Sequence, residues 1–230
     1  MKTSGKKRVA RSLIASIGAV AIIAAGLILG LYGTSEASAG SFSGGTVTVG
    51  TGTPASVTCT IANMVPGDSS AGAPVGSKAD ASCTYNVKYT GSASAWLAVD
   101  VGITNGSTAL YDGTATGLQL YLNDADSTSY LTSAAPTAGT TYKTETGATV
   151  GLPATGIQDL LVSTTAAATG TSASFTLDYA LPIASGDIYQ GGSATVTLTF
   201  HAVLAGTNSL PGTCTSAGDQ CLAGSGFAWS

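Results

Sequence analysis

The chain has 230 residues, of which 44% are hydrophobic and 9% are charged. Five of its eight basic residues (Lys2, Lys6, Lys7, Arg8 and Arg11) lie in the first 39 positions with one of its twelve acidic ones, Glu36, which leaves three against eleven, a net of −8, for the remainder. That balance excludes a basic nucleic-acid footprint, the many apolar residues exclude a disordered chain, and 191 residues after the leader suffice for one core-forming domain.

The leader reads as an export signal. A basic start, an apolar run from Leu13 to Tyr32 and the small-residue triplet Ala37-Ser38-Ala39 follow in the order that signal peptidase requires, so a signal-peptide helix over 1–39 and cleavage after Ala39 are expected. The apolar run also has the length to serve as an uncleaved anchor with its basic end in the cytoplasm. Contact with a membrane is expected only through this segment, and the mature chain is expected to be secreted or held at the cell surface.

Residues 40–53 form a first, separate strand. Val47 and Val49 share one face with Thr46 and Thr48 opposite, and Phe42 joins them if Gly44-Gly45 supplies a bulge. Such a strand pairs inside its own domain or adds to the sheet of a neighbour.

Residues 54–205 alternate with period two. Leu97, Val99, Val101 and Ile103 oppose Ala98, Asp100 and Gly102; Leu118, Leu120 and Leu122 oppose Gln119 and Tyr121. Phe175, Leu177, Tyr179 and Leu181 oppose Thr176, Asp178 and Ala180; Val196, Leu198, Phe200 and Ala202 oppose Thr195, Thr197, Thr199 and His201. One buried and one wet face is the pattern of antiparallel sheets. Turns at Pro66-Gly67-Asp68, Asn105-Gly106, Asp112-Gly113, Ser185-Gly186-Asp187 and Gly191-Gly192 punctuate it. The expected fold is all-β, a single antiparallel β-sandwich of jelly-roll or immunoglobulin-like topology. Residues 63–80 and 123–156 read as surface loops, and 157–162 as a helical turn or a short strand.

Four cysteines in an exported chain imply two disulfides. Three pairings are formally open. Cys59 and Cys83 both sit on the apolar parity of neighbouring strands, whereas Cys214 and Cys221 share the Gly-rich tail 206–230, so Cys59–Cys83 and Cys214–Cys221 are expected, with the tail packed on the domain.

Three stretches resemble the TasA/camelysin family of exported bacterial fibre and biofilm-matrix proteins: Ser41-Phe42-Ser43-Gly44-Gly45-Thr46-Val47 after the leader, Asn63-Met64-Val65-Pro66-Gly67-Asp68-Ser69, and Ala180-Leu181-Pro182 to Gly191 running into Val196–Val203. They span nearly the whole mature chain. Leu204 departs from the Gln often found there, and the cysteine-bearing tail extends past the family's core pattern. The resemblance implies a jelly-roll subunit whose N-terminal strand completes the sheet of the next copy, with Phe42, Val47 and Val49 as the self-assembly residues. The expected partner is the chain itself, with other matrix or surface components as further candidates.

Catalysis finds little footing. Camelysin-type members are associated with metallopeptidase activity, but the chain has one histidine, His201, and Glu145 is the only glutamate outside the leader; the two-histidine zinc helix is absent, as is a Gly-x-Ser-x-Gly elbow. No cofactor is expected. Asp112, Asp124 and Asp126 are weak calcium candidates lacking the spaced acids of an EF-hand. A third reading, a carbohydrate- or host-binding module, rests on Trp96, Tyr111, Tyr121, Tyr130 and Tyr142 sharing one face; Trp229 reads as an anchor for the tail.

Overall fold

A computed structural model describes residues 45–50, 54–74, 78–134, 137–206, 208–223 and 227–229. All belong to the second of two compact units, Ala37–Ser230; the leader and Phe42 lie outside the described residues.

The strands are β1 (Gly45–Val49), β2 (Ala55–Ala62), β3 (Asp68–Ser70), β4 (Lys78–Asp80), β5 (Cys83–Tyr89), β6 (Ala95–Asn105), β7 (Gln119–Asp124), β8 (Ser129–Ser133), β9 (Thr140–Lys143), β10 (Thr149–Gly151), β11 (Gly156–Leu161), β12 (Ser172–Ala180) and β13 (Ser193–Leu204). One 3₁₀ turn spans Asp187–Tyr189. The larger sheet runs β1-β5-β12-β7-β8-β9-β10, with β3 and β4 attached beside β12, and the smaller runs β11-β6-β13-β2. Counting only β2, β5, β6, β7, β8, β11, β12 and β13, the smaller sheet reads first-eighth-third-sixth and the larger second-seventh-fourth-fifth. That interleaving is the jelly roll, eight strands in two sheets from two Greek keys.

The apolar parity of each long strand faces the other sheet. Val196, Leu198 and Phe200 of β13 meet Phe175, Leu177 and Tyr179 of β12 in one core, all at most 1% exposed. Phe175 bridges the layers, its ring centroid 5.1 Å from Phe200 and 5.4 Å from Tyr130, within the range where aromatic pairs add to burial. Tyr85, Tyr111 and Tyr179 are buried with their hydroxyls donating to the carbonyls of Thr58, Leu152 and Ala81, as buried phenols require.

Three expectations are corrected. The sandwich is not purely antiparallel: β1 pairs with β5 in parallel from Gly45↔Tyr85 to Val49↔Tyr89, and β3 pairs with β4 in parallel. Parallel pairing needs a long crossover, and β1 has one, because the chain visits β2 in the other sheet before returning as β5. The stretches 63–80 and 123–156 are not plain loops, since β3, β4, β8, β9 and β10 extend the larger sheet through them; their strands are three to five residues long, too short to display alternation. Nor is the outer face of β12 wet throughout. Asp178 is buried, and its Oδ1 accepts hydrogen bonds from Ser70 Oγ at 2.6 Å, from Gly72 N at 3.1 Å and from Ser82 Oγ.

The Pro66-Gly67-Asp68 turn forms as the sequence dictates. Gly67 adopts φ +97° at the third position, and Asp68 N donates to Val65 O at 3.0 Å, the arrangement in which Pro precedes a residue of positive φ. Asp68 Oδ2 accepts Val65 N at 2.9 Å, and Gly67 N donates to Leu181 O, so the turn is fastened to the end of β12.

Phe200→Ala should cost about 3–5 kcal/mol of unfolding free energy, whereas Thr197→Ala on the opposite face should stay within about 0.5 kcal/mol; urea unfolding of the two variants checks the assigned faces.

Candidate functional site

The strand expected to mediate assembly sits at an edge. β1 pairs with β5 alone, five residues in register, with Val47 opposite Val87. Val49 is fully buried in the core cluster, and its carbonyl accepts Thr90 N at 2.9 Å. β1 therefore fills a slot on its own subunit, and its apolar parity is what seats it there.

Both disulfides fall where strand parity places them. Cys59 of β2 joins Cys83 of β5 with Cα atoms 6.2 Å apart, linking the two sheets. Cys214 joins Cys221 with Cα atoms 5.3 Å apart. With no free cysteine, the domain carries the mark of an oxidising environment. No helix among the described residues is long and apolar enough to cross a membrane.

The carboxylates considered for calcium serve their own loops. Asp112 Oδ1 accepts Thr114 N at 2.9 Å and Thr114 Oγ1 at 2.8 Å, while Oδ2 accepts Tyr189 Oη at 2.7 Å. Burial pushes its carboxyl up, but these hydrogen bonds outweigh that and hold it below the ordinary range. Asp124 Oδ1 accepts Asp126 N at 3.0 Å and Thr128 N at 2.8 Å, a turn closed by an aspartate side chain. Asp126 is exposed. Among the described residues no three metal-ligating side chains come together.

The aromatic residues do not make a stacking face. Tyr111, Tyr121 and Tyr130 are at most 5% exposed, inside the sandwich. Trp96 is half-buried under the tail, its Nε1 donating to Asn208 O at 2.9 Å. Trp229 lies edge-on to Phe227 and donates from Nε1 to Cys221 O at 2.7 Å.

The smaller sheet carries a site that sequence reasoning did not assemble. Its outer face has two halves. Trp96, Leu161 and Val203 are apolar and lie in a second cluster with Cys214, Cys221 and Phe227 of the tail. The other half is polar: Ser56, Thr58 and Thr60 of β2 stand opposite Thr199, Thr197 and Thr195 of β13, with Ser56 Oγ and Thr199 Oγ1 2.8 Å apart. Where the halves meet, His201 Nε2 lies 2.9 Å from Asp100 Oδ2, both side chains under a fifth exposed at 16% and 18%. Asp100 Oδ1 accepts Asp159 N at 2.8 Å. Asp159 has φ +64° at the bulge of β11, and its carbonyl accepts Cys221 N at 2.7 Å. A groove of about 530 Å³ runs beside this cluster, lined by Asp100, Gly102, Gln158, Thr197, Thr199 and Gln220.

Desolvation, followed by the neighbouring Asp100 charge, raises the Asp159 carboxyl from 3.8 to about 6, with His201 opposing the rise. Folding therefore takes up a proton at Asp159 between those values. Stability from this group increases as pH falls through 6 towards 4 and is lost as pH rises through the same window. Parity alone placed Asp100 and His201 on one face; their pairing across β6 and β13 needed the register, and Asp159 entered only through a bulge that no local signal announces.

Asp159→Asn keeps a residue type that tolerates positive φ and removes the charge. Its melting temperature should exceed that of the parent at pH 7.5, and the acid-side gain between pH 6 and 4 should shrink; equal pH profiles for the two proteins would refute the assignment.

No family model, no curated protein and no solved structure matches this chain.

Proposed function

We propose that the protein is a secreted structural subunit that assembles into extracellular filaments or matrix by exchange of β1. The observation that carries this reading is the parallel edge pairing of Gly45–Val49 on β5. β1 has a single neighbour strand, so its departure breaks one ladder and leaves the interleaved strands intact. It leaves behind an apolar slot, vacated by Val49, and a bare β5 edge that accepts the same strand from another copy. Leader removal then frees the end that must thread into the neighbour.

Further support is chemical. The two disulfides suit an exported domain, and the jelly-roll order is the fold that the TasA/camelysin resemblance implies. A head-to-tail contact that does not close on itself generates a fibre. On this reading Val47 and Val49 are the anchoring residues, with Phe42 before them. The secreted metallopeptidase and the carbohydrate-binding module gain no specific observation: His201 is tied to Asp100, and three of the five rings are in the core.

Purified residues 40–230 should form filaments visible by electron microscopy, and a chain starting at Thr53 should form none. Equal polymerisation of the shortened chain would remove β1 from the mechanism. Reducing Cys59–Cys83 should lower stability by roughly 2–5 kcal/mol, read by denaturant unfolding with and without reductant.

A further inference from the structure

The sandwich has edges other than β1, and they are treated unequally. In the larger sheet the far edge, β10, is three residues long. In the smaller sheet the β11 edge is bulged between Ile157 and Leu160 and covered by the tail, which bridges Leu160↔Gln220 and donates Gly218 N and accepts Leu161 N through Asp219 O. These are ordinary ways of blunting an edge.

β2 has none of them. It is eight residues long, Ala-Ser-Val-Thr-Cys-Thr-Ile-Ala, without charge, proline or glycine, and its register with β13 runs unbroken from Ala55 to Ala62. The direction of its backbone groups follows from two bonds. Asn63 N donates to Gly192 O, so odd-numbered residues at this strand face β13; the Thr58 carbonyl instead accepts Tyr85 Oη from the other sheet, so even-numbered residues face away. In an antiparallel strand the N–H and C=O of a residue point the same way. Ser56 and Thr60 therefore present both groups on the side where β2 pairs with no strand among the described residues. Ala55 and Val57 point inward yet are only partly buried, whereas Cys59 and Ile61 are fully buried. The first half of β2 lacks lateral cover.

We infer that the free edge of β2 is a strand-addition site, and that its occupant is β2 of a second copy, antiparallel about a two-fold axis. The edge supplies alternating donors and acceptors, which only another extended backbone satisfies along its whole length. A second copy fits because the strand is self-complementary in an isologous contact and uncharged, in a domain whose net charge of −8 repels its like elsewhere. The contact would cover Ala55 and Val57 and continue the smaller sheet across both subunits. It is separate from exchange of β1, which uses the larger sheet, and joins subunits or filaments side by side.

The test uses residues 40–230, taken as the filament-free fraction from size exclusion and followed by analytical ultracentrifugation at rising concentration. Ser56→Pro removes an outward N–H while sparing the ladder to β13, a position where an edge strand accepts proline, and Thr60→Lys places a charge opposite its own copy. The parent should dimerise, and both variants should remain monomeric over at least a tenfold higher concentration range, with unchanged circular dichroism and any filaments still formed singly. A parent that stays monomeric, or folded variants that dimerise as the parent does, would overturn the inference. Loss of filaments in the Thr53-start chain bears only on β1.

Discussion

Two open sheets stacked into a sandwich leave rows of backbone N–H and C=O groups along their margins, and each must find water or protein. Much of this molecule is arranged around that demand. The core sets which face of a strand turns inward, but the margins decide what happens beyond the subunit. On one flank the chain closes the matter itself: the tail binds β11 and β9 through Leu161, Lys143 and Asp159, and its disulfide braces the turn that does so. On the other flank lie β1 and β2, where the covering is a single strand in one sheet and absent in the other.

The same division explains what the sequence revealed. Strands that cross the middle of a sheet with one face on the core, such as Val196–Phe200, announce themselves by alternation, and the outer Thr residues confirm the parity. Cys59 and Cys83 could be paired because both lie on that parity. β7 was read only in part: Gln119 and Tyr121 looked wet, yet both are buried, Gln119 being held by Thr114 O, Gly117 O and Ser133 Oγ. Alternation cannot report a second layer laid over the outer face, because such cover comes from distant segments. Asp178 was missed for the same reason.

The candidate sites divide along similar lines. Val49 was legible because a β-competent strand at the start of a mature chain has few roles. The parallel direction of β1 was not, since direction depends on where the chain travels before it meets β5. The cluster of Asp100, Asp159 and His201 required register across three strands and a left-handed residue at a bulge. Asp112 and Asp124 show the reverse case. A dense run of oxygen ligands in sequence became two separate turns, each carboxylate spent on nearby amides and hydroxyls.

The bridge between Cys59 and Cys83 has a mechanical side. β1 lies along β5, so tension applied to that ribbon shears five paired residues at once instead of peeling them singly. β5 is tied by a covalent bond to β2, and force reaching it passes directly into the second layer without loading the aromatic contacts between them. A subunit wired in this manner would bear stretching along its length while its interior stayed at rest.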